Sequence, residues 1–440
     1  MPRCCFPISK SRGCGCRLLA TRPEVATFTH PAAPAPICFS LRLPLPDILY
    51  LTTSDALADA VAALRSAPRI AIDLEFDDMR HRYGRNLALI QVFDGQRVYL
   101  IDPLPLPNPA QELQPLWDVL QDPAVEKIFH SCRSDILLLD ELYGVHVRHI
   151  TDTSVQYQLL GEADNNISLG RLVQQELGLE LDKGEQKSNW LKRPLSEAQL
   201  EYAANDVIYL FELAERLTAR LESLGRGQWA AEESAALEDV RYQRDDRPWM
   251  KIAGRYRISH DEMPLFRDLY QLREEVARII DRPPYMVFAN DRLAELVRDT
   301  PNGTNAWRNA RGLHPELKRS PYLERLTAMS PGQYQPAPDP PTPYQERRFP
   351  SRRRLTGAAA ARADQREQQL MALKTQLADN FNGYVANLVL SNRLIGEIVE
   401  QGAAEALRPW QQELLREASR RQGVDFEELA RPLDVSGSRR

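Results

Sequence analysis

Eight residues, Arg69-Ile70-Ala71-Ile72-Asp73-Leu74-Glu75-Phe76, constrain the fold more than any other stretch of this chain. They form an apolar β-run with two carboxylates set into it. Successive side chains of a strand point to opposite faces, so Ile70, Ile72, Leu74 and Phe76 share one side while Ala71, Asp73 and Glu75 share the other. Unpartnered carboxylates are costly in a low-dielectric interior, and two on neighbouring positions of one face also repel each other. Two arrangements answer this: a divalent metal held by hard oxygen ligands, or an edge strand whose acids face water.

The chain is long enough to bury a core around such a strand. Its 440 residues, 43% hydrophobic and 27% charged, leave room for about two to four globular domains. No apolar run of about 18 uncharged residues is present, so no membrane span is expected. A net charge of −5 gives no global attraction to nucleic acid, and such a partner would need local patches or bridging metal ions. Cys4, Cys5, Cys14, Cys16 and Cys38 precede the first periodic segment, which leaves Cys132 alone in the body. The body therefore reads as reduced and cytoplasmic. Cys14-Gly15-Cys16 has no second pair or following histidine at zinc-ligand spacing. Residues 1–45, rich in Arg, Pro and Cys and poor in acids, read as a disordered targeting tail or upstream extension.

From Tyr50-Leu51-Thr52, a short strand, the cluster Thr53-Ser54-Asp55 caps a helix over Ala56–Ser66. After the acidic strand, Leu87–Phe93 and Val98–Asp102 flank the turn at Asp94-Gly95, which predicts a three-strand meander. A helix is expected over Glu112–Gln121 and a strand over Val125–Phe129. His130-Ser131-Cys132-Arg133-Ser134-Asp135 then marks a strand-to-helix junction with serine caps, placing Asp135 in a first helical turn. An acid there is favourable with the helix dipole and by itself needs no metal. Ile150–Leu160 and Leu169–Leu177 read as helical or mixed. A later helix opens at Ser196 and carries Tyr202 and Asp206 four apart on one face with Leu195 and Gln199; taken alone, the pair is as well explained by packing.

Together the pieces become specific. Asp-x-Glu in a first core strand, Asp at a strand-to-helix junction and Tyr-x-x-x-Asp in a late helix resemble the three motifs of the DEDD exonuclease superfamily in its tyrosine variant. The run Leu181-Asp182-Lys183, Ser188-x-Trp190, Arg193-Pro194-Leu195-Ser196 and Gln199-Leu200-x-Tyr202-Ala203-Ala204-x-Asp206-Val207-x-Tyr209-Leu210 resembles ribonuclease D. Leu74, Gly184 and Asn205 depart from the usual residues, and none removes a metal ligand. A dinucleotide-binding fold would need a Gly-rich turn after the first strand, and none follows Asp73-x-Glu75.

The resemblance implies a ribonuclease H-like mixed α/β sheet and 3′→5′ hydrolysis of RNA, transfer RNA precursors being the expected substrates. It implies Asp73, Glu75, Asp135 and Asp206 as ligands of two Mg²⁺ ions, with Mn²⁺ as a substitute, Asp73 bridging and Asp135 acting largely through water. Two ions about 3.5–4 Å apart can serve both the attacking and the leaving oxygen of an in-line displacement. Tyr202 would orient the attacking water rather than act as a strong base, since its ordinary pKa is about 10. His130, Lys183, Gln186, Lys187 and Trp190 are expected substrate contacts. The competing readings are a DNA exonuclease of the Werner or proofreading kind and an RNA-binding scaffold with an idle nuclease fold.

Past Leu224 the β pattern ends. Met263–Ile280, a breaker at Asp281–Tyr285 and a helix over Asn290–Val297 resemble an HRDC domain, a small helical module whose usual ligand is nucleic acid. Gln335–Pro341 and the arginines 347, 348 and 352–354 suggest a stiff basic linker. Ser391–Val399 echoes the Asn290–Val297 helix, suggesting a second, all-α HRDC-like unit. The expected organisation is an extension over 1–45, exonuclease over 46–224, HRDC over 258–330, linker over 331–360 and a second module over 361–432. Single-stranded RNA 3′ ends are the expected partner, with no membrane and no obligate protein partner. If the helical modules hold RNA, deletion after about Pro331 is expected to weaken affinity and its salt dependence while sparing hydrolysis of short oligonucleotides.

Overall fold

A computed structural model describes residues 46–162, 167–336, 357–402 and 407–431. The expectations for residues 1–45 and for the arginine-rich part of the linker lie outside the described residues.

The first half builds a six-stranded sheet. In chain order it contains β1 (Asp47–Leu51), α1 (Ser54–Ser66), β2 (Arg69–Asp78), β3 (Arg85–Phe93) and β4 (Arg97–Ile101). α2 (Pro109–Glu112), α3 (Gln114–Gln121), β5 (Glu126–Phe129), α4 (Arg133–Tyr143), β6 (Ile150–Asp152) and α5 (Thr153–Leu159) follow. The strand order is β1-β4-β3-β2-β5-β6, with β2-β3-β4 antiparallel and the outer pairings parallel. The predicted meander is therefore present at the middle of a mixed sheet. The helix expected over Glu112–Gln121 starts earlier and breaks at Leu113, because Pro115 has no N–H to continue the ladder from α2. Ile150–Leu160 splits into strand and helix at Asp152, which caps α5.

The alternation read from the acidic strand matches the packing. Ile70, Ile72 and Leu74 lie in one apolar core with α1, α3 and α4, and Phe76 packs against it. Ala71 faces a second core on the opposite side, where α6 (Leu169–Leu177), α7 (Glu197–Ile208) and α8 (Leu210–Ser223) cover the sheet. Asp73 and Glu75 share that second face and so meet α7. The β2–β3 register shifts between Glu75 and Phe76, a bulge beside the acids.

After α9 (Gly227–Leu237), a helical module comprises α10 (Trp249–Tyr256), α11 (Met263–Ile279), α12 (Pro284–Val287), α13 (Asn290–Arg298), α14 (Thr304–Asn309) and α15 (Tyr322–Ala328). It has its own core around Phe266, Trp307 and Phe288, into which Tyr83 of the β2–β3 turn packs. The last described helices are α16 (Ala358–Asn380), α17 (Gly383–Val389), α18 (Asn392–Gln401), α19 (Pro409–Gln422) and α20 (Phe426–Leu429). Their core is not separate. Leu370, Val385 and Trp410 belong to the same continuous apolar cluster as Ala203 and Leu213 of the nuclease sheet's helical cover. Trp410 stacks on Trp229 of α9 at 4.6 Å, Arg408 pairs with the buried Glu233 at 2.7 Å, and Asn382 donates to the Gln158 carbonyl at 3.2 Å. Deletion after about Pro331 would therefore strip the nuclease half of part of its core as well as remove a module.

Candidate active site

Three elements converge on one acidic cluster. β2 supplies Asp73 and Glu75 on the face covered by α7, and α7 supplies Asp206 and Tyr202 one turn apart. α7 starts where the sequence indicates: Ser196 accepts from the Gln199 amide, and the Gln199 side chain accepts from the Ser196 N–H, a complete capping box. One carboxylate oxygen from each of Asp73, Glu75 and Asp206 lies within 4.8 Å of the others.

Asp135 stands close to this trio but outside it. It is 6% exposed in the first turn of α4, and its charge acts on Glu75 while that of Asp73 acts on it. The serine cap expected at its helix is absent. Cys132 occupies the cap position without a side-chain bond, and Ser131 has a left-handed backbone at φ 63°. A residue that sequence reasoning passed over does the holding. The buried Asp152 carboxylate accepts the N–H groups of Ser131 at 3.0 Å and Cys132 at 2.8 Å, together with those of Ser154 and Val155. The signal available was its place before Thr153-Ser154 at a helix start, an N-cap pattern.

The electrostatics of the cluster are those of crowded acids. Burial, followed by mutual repulsion, raises Glu75, Asp206 and Asp135 well above the usual carboxylate range, and burial raises Asp73. Opposing influences are the Leu74 backbone N–H at Asp73, the Tyr202 hydroxyl at Asp206, and at Asp135 its own backbone N–H and the Arg85 guanidinium, so no cation offsets the trio of Asp73, Glu75 and Asp206. A compact all-oxygen donor set whose ionised state is strained by its own charge fits a hard divalent ion. Tyr202 is itself pushed up, first by burial and then by Asp206, Glu75 and Asp73, so it keeps its proton at neutral pH.

The expected substrate contacts are placed differently from one another. His130 has both ring nitrogens engaged within the protein, Nδ1 with Thr153 Oγ1 and Nε2 with the Ile167 carbonyl, each at 2.9 Å. Trp190 is buried, its ring 5.9 Å from that of Tyr202. Lys183, Gln186 and Lys187 are exposed on the preceding loop, Lys183 with its stem over Gly170, where any added Cβ would meet Lys183 Cε at 2.9 Å. Gly184 needs no special backbone, its N–H being held by Asp182.

Known proteins carry the same layout. A family model described as 3′-5′ exonuclease matches residues 48–222, and one described as HRDC domain matches residues 262–329. Ribonuclease D of Granulibacter bethesdensis is 34% identical over 274 residues, which are 62% of this chain and 67% of that protein. Ribonuclease D of Escherichia coli is 32% identical over 256 residues, 57% of this chain and 66% of that protein. The crystal structure of Escherichia coli RNase D, an exoribonuclease involved in structured RNA processing, superposes with a TM-score of 0.61 at 25% identity, covering 85% of this chain and 99% of that one.

Proposed function

This chain belongs to the ribonuclease D family and is a 3′→5′ exoribonuclease, and on that premise we propose that it trims the single-stranded 3′ ends of structured RNAs, transfer RNA precursors among them. The observation that carries the reading is the convergence of Asp73, Glu75 and Asp206 oxygens within 4.8 Å, next to the Tyr202 hydroxyl.

Asp73, Glu75 and Asp206 would hold one divalent ion, and Asp73 with Asp135 a second; Mg²⁺ suits these oxygens, with Mn²⁺ as a substitute. When bound, the ions neutralise the carboxylates and supply the Lewis acidity that phosphodiester hydrolysis needs at its attacking and leaving oxygens. Tyr202 donates to Asp206 and can accept from the attacking water, orienting it rather than removing its proton. Trp190, packed on the Tyr202 ring, limits where that hydroxyl can stand. The products are nucleoside 5′-monophosphates.

We assign 46–224 to the exonuclease, 258–330 to the HRDC domain, 331–360 to a linker and 361–432 to a second HRDC-like module. Both modules guide RNA towards the site, with exposed Lys183, Gln186 and Lys187 meeting the substrate strand. No helix among the described residues is long and apolar enough to cross a membrane, and we place the enzyme with its RNA substrates in the cytoplasm. Choice of RNA over DNA requires contacts to the 2′-hydroxyl. Trimming rates on matched RNA and DNA single strands, and on a transfer RNA precursor with a 3′ trailer, test the substrate: faster RNA and trailer removal is expected, and preference for DNA would overturn it.

A further inference from the structure

The Met79–Gly84 turn between β2 and β3 stands where the nuclease, the HRDC domain and the Asp182–Trp190 loop meet. The buried Asp77 carboxylate organises it, accepting the N–H groups of Arg80, His81 and Arg82 at 3.0–3.2 Å and bonding His81 Nδ1 at 2.6 Å. On the HRDC side, Arg82 Nε donates to Asp281 at 2.6 Å and the Tyr285 hydroxyl donates to the Arg80 carbonyl at 3.0 Å. On the other side, the Arg80 guanidinium donates to the Lys187 carbonyl at 2.9 Å. The bonds within that loop are local turns, Gly184 N–H to Asp182 and Ser188 N–H to the Glu185 carbonyl, so Arg80 ties it to the sheet from outside.

The tie continues to the reacting groups. Ser188, next to Lys187, accepts from Gln199 Nε2 at 2.8 Å, and Gln199 is the capping-box residue that starts α7. Two residues past Ser188, Trp190 packs on the Tyr202 ring. We infer that Arg80 is a positioning residue for hydrolysis, acting through Lys187, Ser188 and Trp190 on Tyr202, and that Tyr285 fixes it from the HRDC domain. This rests on the reading of Tyr202 as the group that orients the attacking water. A reacting group misplaced by a fraction of an ångström loses rate without losing substrate affinity.

The test is a double-mutant cycle on the full chain with Mg²⁺, using a single-stranded RNA dodecamer and a dinucleotide. Arg80→Ala is expected to lower kcat on both substrates by about 3- to 10-fold, the range one hydrogen bond supplies, with KM changed less than about threefold. In a Tyr202→Phe background the same substitution should change kcat by less than about twofold. Arg80→Lys, which keeps a donor, should recover most of the loss, and Tyr285→Phe should cost about 2- to 5-fold. Faster amide exchange over residues 186–190 in Arg80→Ala is the readout independent of activity. If Arg80→Ala does not fold, Ser188→Ala serves the same cycle, since it cuts the next link. Equal losses in wild-type and Tyr202→Phe backgrounds, or a change confined to KM, would overturn the coupling. A Tyr202→Phe enzyme with unchanged kcat would instead overturn the role given to Tyr202.

Discussion

Replacing Trp410 by Ala tests whether the C-terminal helices and the nuclease form one cooperative body. Trp410 is 2% exposed, stacks on Trp229 at 4.6 Å and donates from Nε1 to Glu233 at 3.0 Å. Truncating a buried tryptophan costs about 3–5 kcal/mol, of which the aromatic pair accounts for about 0.5–1.5 kcal/mol beyond area burial. Glu233 keeps Arg408 at 2.7 Å, so no buried charge is left unpaired and no further penalty is added. At about 2–4 °C per kcal/mol for units of 150–250 residues, the lower end suits this larger body, and the melting midpoint should fall by about 6–10 °C. Scanning calorimetry read beside heat inactivation of RNA trimming is the assay, with the two midpoints expected to move together. An early separate transition with unmoved inactivation would refute the shared core.

Three further outcomes follow from the same geometry. Metal-free protein should lose stability as pH rises, because a carboxylate with a folded pKa above its unfolded value holds more protons when folded. The loss runs from about pH 4, the ordinary carboxylate value, through about 7 for Asp73, about 8 for Asp206 and about 10 for Glu75, and Mg²⁺ should suppress it in melts at pH 5 and 8.5. Asp152→Asn keeps one acceptor oxygen and loses the charge on four backbone N–H groups, so it should destabilise by about 2–4 kcal/mol in denaturant titration and raise the Mg²⁺ concentration for half-maximal activity through Asp135. Trp229→Ala, removing the other half of the stacked pair, should be non-additive with Trp410→Ala in a melting cycle.

Much of the site was legible because its residues obey local rules. The period-2 alternation of Arg69–Phe76 places Asp73 and Glu75 on the face that α7 covers, and Ser196 with Gln199 marks where that helix begins. Spacing by four then brings Tyr202 and Asp206 to the same acids. What stayed hidden depends on contacts between distant segments. Asp152 reads as an ordinary helix cap, and only the parallel pairing of β5 with β6 brings it under the Ser131-Cys132 turn. Residue type gives no sign that His130 bonds Thr153 and the Ile167 carbonyl, or that Trp190 packs beside the Tyr202 ring. The helical repeat around Ser391–Val399 gives no sign that Trp410 and Glu233 merge its core with the nuclease, since neither stands in a periodic pattern with the other.

The central claim is that Asp73, Glu75, Asp135 and Asp206 run metal-dependent hydrolysis from the 3′ end. The most direct measurement incubates a 5′-labelled RNA having a single-stranded 3′ tail with wild type and Asp73→Asn, in Mg²⁺ or EDTA, and resolves the ladder. Wild type in Mg²⁺ should shorten the labelled strand one nucleotide at a time, while EDTA or Asp73→Asn should abolish turnover with RNA binding retained. Trimming that persists in EDTA or in Asp73→Asn, or label released at once as a mononucleotide from the 5′ end, would contradict the account.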